Sequence, residues 1–142
     1  MSLIACAAAL QLVAAPAAPV APVSPQAWQS KTTAEGRWRY RPILGGSEAV
    51  WSDIAGTPQL ALRCTLALRQ MAISRAGGGV PLTIFTTGAQ RLLINATLSA
   101  FDPLLDQVAF SRGRIAVAAT GAPLLVVPSW AEPARTIEDC RK

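Results

Sequence analysis

The chain contains no histidine. That absence removes Ser-His and Cys-His nucleophile pairs, the side chain that titrates nearest neutral pH, and the commonest zinc ligand. G-x-S-x-G is missing too, and neither Lys31 nor Lys142 stands in an S-x-x-K arrangement. The glycines at 77–79 are not followed by the Lys-Ser/Thr pair of a phosphate-binding loop, so they read as a turn. No D-x-[DN]-x-[DN]-G calcium loop occurs. These absences leave no residue to name as catalytic, cofactor-binding or metal-ligating, and no cofactor is expected.

Long apolar runs are also scarce. Leu3 to Ala15 is apolar except for Gln11. It is shorter than the ~20 residues a membrane-spanning helix needs and matches the h-region of a signal peptide. The proline-rich PAAPVAP follows at Pro16–Pro22, and Ala15 and Ala17 offer the small residues of a cleavage site. The expected organisation is a cleavable signal peptide at 1–17, an Ala/Pro-rich spacer at 18–27 and one domain at 28–142, with no transmembrane anchor. The n-region carries no Lys or Arg, which leaves open a cytosolic protein with a disordered apolar tail. Leu3-Ile4-Ala5-Cys6 resembles a lipobox, but the apolar run follows the cysteine instead of preceding it. Cys6 therefore reads as a discarded leader residue and not as a lipid anchor.

Removing the leader leaves Cys64 and Cys140. In an exported domain two cysteines read as one disulfide. The alternative is a pair of reduced thiols, with Cys64 acting as a small buried hydrophobe. The charged residues number 13 basic and 8 acidic, for a net charge of +5. The basic side is almost entirely arginine.

Period-2 alternation dominates the domain. In GRWRYRP, Trp38 and Tyr40 alternate with Arg37, Arg39 and Arg41, as in a strand with one buried face. A second strand is expected near Val50-Trp51, ending at Ala55–Pro58. The run QLALRCTLALR reads as one strand, with Leu60, Leu62, Cys64, Leu66 and Leu68 on one face. A strand through Met71 and Ile73 to Arg75 should lead into a hairpin loop at Ala76–Gly79. Pro81–Thr87 should then pair with RLLINATLSA as a hairpin. Asp102-Pro103 gives a helix start, because the carboxylate caps free N–H groups and proline lacks the N–H that would be orphaned there. Leu104, Leu105, Val108 and Phe110 would form the buried side of that helix. Two further strands, Arg114–Ala119 and Leu124–Val127, flank a turn at 121–123, and a C-terminal helix would return Cys140 to the Cys64 strand. The fold class expected is mainly β, bordering on α+β: about seven strands in a single antiparallel sandwich or partly open barrel, with two short helices.

The segments GTPQLALRC, AFDPLLDQVAFSRGRIAV and LLVVPSWAEPARTIEDCRK resemble a set of small exported proteins of sphingomonad-type alphaproteobacteria, over roughly Gly56 to Lys142. The resemblance implies a periplasmic or envelope setting and a paired Cys64/Cys140. It implies no activity.

Arg37, Arg39 and Arg41, together with Arg112 and Arg114, are the candidate contacts for an anion or partner. Arg112 is also placed to pair with Asp106. The leading expectation is an exported, non-enzymatic binding or structural domain whose partner is an anionic envelope component, such as lipopolysaccharide phosphates. One alternative is a carboxylate-dependent hydrolase using groups near Asp102, Asp106 or Glu132. Another is a cytosolic nucleic-acid-binding module using Arg37, Arg39 and Arg41. The leader argues against nucleic acid, and in a strand the rings and guanidiniums point to opposite faces and cannot grip one ligand together.

Overall fold

The computed structural model describes residues 27–142; Cys6, the leader and the spacer up to Gln26 lie outside the described residues. Strand β1 (Gly36–Ile43) turns through Leu44-Gly45 into β2 (Gly46–Asp53). Gly45 adopts φ +80°, where an L side chain is strained. The resulting register places Trp38 opposite Trp51 and Tyr40 opposite Ala49. A side chain at Gly46 would collide with the Cys64 carbonyl, so glycine also permits the next strand to pair closely. That strand, β3 (Pro58–Thr65), is followed by β4 (Gln70–Arg75) and later by β7 (Thr97–Ser99), giving the sheet order β1-β2-β3-β4-β7. The second sheet has the order β6-β5-β8-β9, from β5 (Gly79–Phe85), β6 (Gln90–Leu93), β8 (Arg114–Thr120) and β9 (Ala122–Pro128). Every pairing is antiparallel. The chain is thus a mainly β sandwich of two open sheets, with nine strands among the described residues where about seven were expected.

Four departures from the sequence reading have local causes. The QLALRCTLALR run stops being a strand at Thr65: Leu66–Leu68 form a 3₁₀ turn, and Arg69 reverses the chain at φ 46°, its N–H donating to the Leu66 carbonyl at 3.1 Å. Leu66 and Leu68 are consequently exposed. Ala76–Gly79 is not a hairpin, because β4 and β5 belong to different sheets and the glycines carry the chain between them. RLLINATLSA splits for the same reason: β6 pairs with β5, and β7 returns to pair with β4. Phe110 is exposed because helix α1 (Pro103–Ala109) ends one residue before it and the chain turns away. The start of α1 is as expected, with Asp102 Oδ1 accepting the Leu104 N–H at 2.9 Å and Leu104, Leu105 and Val108 buried.

Inward-facing side chains of both sheets share one core with the two helices. Trp38, Trp51, Leu60, Leu62, Met71 and Ile73 meet Leu82, Ile84, Ile115, Val117, Leu125 and Val127 there. Helix α2 (Ala131–Cys140) covers the rest of the five-stranded sheet, burying Pro133, Thr136, Ile137 and Cys140. The outer face of the four-stranded sheet has its own cover, with Trp28 lying on Phe85, Ala116 and Val126. Arg114 holds that N-terminal strap down by donating to the carbonyls of Gln29 and Lys31, its guanidinium over the Trp28 ring.

Cys64 and Cys140 form a disulfide with Cα atoms 5.5 Å apart, across 76 positions of sequence. Closing so long a loop removes chain entropy from the unfolded state, about 4.5 kcal/mol on the chain-entropy argument. The double variant C64A/C140A, or the reduced wild type, is expected to lose about 2–5 kcal/mol in urea unfolding relative to the oxidised protein. Coincident transitions for the two forms would contradict this.

Candidate functional site

Because side chains alternate along β1, Trp38 and Tyr40 turn inward while Arg37, Arg39 and Arg41 stand on the outer face of the five-stranded sheet. The ring groups are fully engaged within the fold. Trp38 Nε1 donates to the Pro128 carbonyl at 2.7 Å. The Tyr40 hydroxyl donates to Asp139, and the Arg135 guanidinium sits 3.9 Å from the Tyr40 ring centre. No ring from β1 is therefore free to stack on a ligand held by the arginines.

Register places Arg41 opposite Glu48, and Glu48 opposite Arg63 of β3. The result is an Arg–Glu–Arg ladder across three strands. Glu48 Oε1 accepts from Arg41 Nε at 2.5 Å, and Oε2 accepts from Arg63 Nε and Nη2 at 3.1 and 2.9 Å. Glu48 is only 1% exposed, while the two arginine side chains over it remain 68% and 58% exposed. Removal from water pushes the Glu48 pKa up, but hydrogen bonds and charge from Arg63 and Arg41 together outweigh that and hold it below the ordinary carboxylate value. The ladder keeps one net positive charge.

Arg39 and Arg37 have no such partner. Across from them on β2 stand Val50 and Ser52, and beyond Val50 lies Ala61. Among the described residues, no carboxylate or carbonyl accepts from either guanidinium. They line an open depression with Gly36, Ser52, Asp53 and Ile54, and Arg39 also borders a neighbouring groove floored by Val50 and Ala61. The Asp53 carboxylate in that depression is already occupied: Oδ1 accepts the N–H groups of Ala55 and Thr57 at 3.0 and 2.9 Å, and Oδ2 accepts from Gln59 at 2.9 Å. The outer face thus offers two guanidiniums without ion-pair partners, beside the ionised Asp53 that is held by neutral donors, a hydroxyl and a small apolar floor, an arrangement suited to an anionic group attached to a less polar body.

The other candidates are placed elsewhere. Arg114 is the clamp on the N-terminal strap. Arg112 is exposed, with its backbone N–H donating to Thr87 Oγ1 at 3.1 Å. Asp106 pairs with Arg141 at 2.8 Å and not with Arg112, because α2 brings its C-terminal end against α1. Asp102 is shared between its capping role and Arg91 at 2.6 Å. Asp102 and Asp106 are therefore each turned to a separate arginine. Glu132 lies on α2, its Oε2 buried without a partner among the described residues.

Sequence reasoning passed over Glu48 and Arg75. A two-residue turn at Leu44-Gly45 fixes the hairpin register, and from that register alone Arg41 falls opposite Glu48. Arg75 closes the end of the sandwich where the chain changes sheets. It is buried, and it donates to the Gln59 and Ala76 carbonyls, to Gln59 Oε1 and to the Pro123 carbonyl. Burial pushes its pKa down.

No protein-family model, curated protein or solved structure matches the chain.

Besides Glu48, three carboxylates sit below their ordinary pKa: Asp53 through Thr57 and Gln59, Asp102 through Arg91, and Asp139 through Lys142 and Tyr40. Each has a folded pKa beneath its unfolded one, so the stability it contributes is complete above the unfolded value of about 4 and is lost as pH falls through the folded value. The urea midpoint should hold steady from neutral pH down to about pH 5 and then fall steeply below about 4. D102N should flatten part of that fall, and a midpoint that rises on acidification would refute the assignment.

Proposed function

We propose that the protein is an exported, non-enzymatic binding domain that engages an anionic component of the cell envelope through Arg37 and Arg39. The observation that carries the reading is the contrast on one sheet face. Arg41 and Arg63 share a buried carboxylate placed between them, whereas Arg37 and Arg39, on the same sheet face, are left unpaired around an open depression. A guanidinium recognises phosphate and carboxylate through paired N–H donors, and two spaced along one strand can take two oxygens of the same group or two neighbouring groups. The disulfide supports an oxidising compartment. No described helix is long and apolar enough to cross a membrane.

Two measurements test this. The first is the intact mass, under non-reducing conditions, of the protein made from its full gene in a Gram-negative host. Loss of the segment ending near Ala17, together with the two hydrogens of the disulfide, is the expected result; retention of Met1 with free thiols would remove the basis for export. The second is calorimetric titration with inorganic phosphate and with lipopolysaccharide. R37Q/R39Q is expected to weaken binding about tenfold or more, in line with the loss of charge-assisted hydrogen bonds, and to leave the unfolding midpoint unchanged. Equal affinities for wild type and variant would end the assignment to this face.

A further inference from the structure

Three turns meet at the opposite end of the five-stranded sheet from Arg37. They are Leu44-Gly45, Leu66–Arg69 and the link from β7 into α1. They are stitched together, with the Leu66 N–H donating to the Gly45 carbonyl at 2.9 Å and the Ala100 N–H to the Arg69 carbonyl at 2.8 Å. Turns of this kind ordinarily carry Gly, Asn, Asp or Ser, which hydrogen-bond their own backbone or tolerate positive φ. Here the outermost side chains are Leu44, Leu66, Leu68 and Phe101, all exposed and Leu44 fully so. Clustered exposed apolar groups of this size mark an interaction surface.

The charges beside them indicate the partner. The Arg69 guanidinium lies 5.9 Å from the Phe101 ring centre and donates only to the Arg141 carbonyl, with no carboxylate on it among the described residues. The Arg41 side chain, 68% exposed at the same end, belongs to the Arg–Glu–Arg ladder that keeps one net positive charge, whereas Lys142 is paired with Asp139. Of the acids here, Glu48 is buried beneath its arginines, and Asp106 and Asp139 form pairs with Arg141 and Lys142 that carry no net charge, leaving Glu138 as the exposed acid without an ion-pair partner among the described residues. Apolar tips beside the unpaired Arg69 and the surplus positive charge of the ladder complement an anionic bilayer, where the tips enter between headgroups and these cations meet lipid charge. A second copy of the chain fits less well, because a stable dimer buries about 800 Å² on each partner, more than four side chains on separate turns supply.

We propose that this end of the sheet docks on an anionic lipid surface, with Leu44, Leu66, Leu68 and Phe101 entering the interface. The surface is separate from the arginine face, since seven residues of strand put Leu44 about 23 Å from Arg37. The proposal therefore stands or falls independently of the anion-binding reading. The test is flotation of the disulfide-bonded protein with vesicles of phosphatidylcholine alone and of phosphatidylcholine mixed with phosphatidylglycerol. Binding to the mixed vesicles is expected, weakened by salt and weaker on phosphatidylcholine alone. L44N/L68N should lower the partition coefficient about tenfold or more without moving the unfolding midpoint, and R69Q should weaken binding to the mixed vesicles alone. The proposal is overturned by absence of binding to either vesicle, by equal binding of L44N/L68N and wild type, or by binding abolished in R37Q/R39Q and retained in L44N/L68N. Light scattering that reports a dimer which L44N/L68N dissolves would likewise overturn it in favour of a second copy.

Discussion

The covalent bond between Cys64 and Cys140 decides whether the inner face of the five-stranded sheet stays covered. Helix α2 has little reason to form by itself. It is ten residues long, its N-cap residue Trp130 makes no side-chain capping bond, and its last turn carries no basic residue. Isolated helices of this length are marginal in water. What holds α2 is tertiary: Ile137 and Thr136 packed against the sheet, Tyr40 bonded to Asp139, and the bond from Cys140 into β3. The four-stranded sheet does not reach this part of the core, so α2 completes the layer.

The arginine excess looks different once each side chain is placed. Arg75 and Arg114 spend donors on backbone carbonyls, which carry no formal charge to offset them. Structural work of this kind leaves the chain net positive without making a uniformly basic surface. Only part of the +5 is available to attract a partner from solution. The two arginines on β1 with no acceptor stand out against that background, and net charge alone does not identify them.

The legible part of the fold was the part written in local alternation or local chemistry. Strands β1, β3 and β4 follow from period 2, and the start of α1 follows from Asp102-Pro103. The turn at Leu66–Arg69 was hidden because its leucines continue the alternation of β3 into residues that the sandwich leaves in water. The division of RLLINATLSA between two sheets depends on where β4 and β5 already lie, which no window of sequence contains. The site divides the same way. That Arg37, Arg39 and Arg41 share a face needs only the strand period. That Arg41 is paired and its neighbours are not needs the hairpin register, the third strand and the burial of Glu48.

The N-terminal strap and the partners of β1 bear on the order of events in folding. The Trp38 indole reaches a carbonyl 90 residues further on, Tyr40 reaches a carboxylate 99 residues on, and Arg114 reaches back 85 residues to Gln29. The first and last segments of the domain thus finish one another's hydrogen bonding. A chain emerging in sequence can lay the Trp28 strap on the four-stranded sheet once β8 and β9 are made, but cannot cover the five-stranded sheet until α2 has emerged, and pairings this distant are formed slowly because loop entropy must be overcome first. The inner face of the five-stranded sheet stays uncovered until that final helix is present.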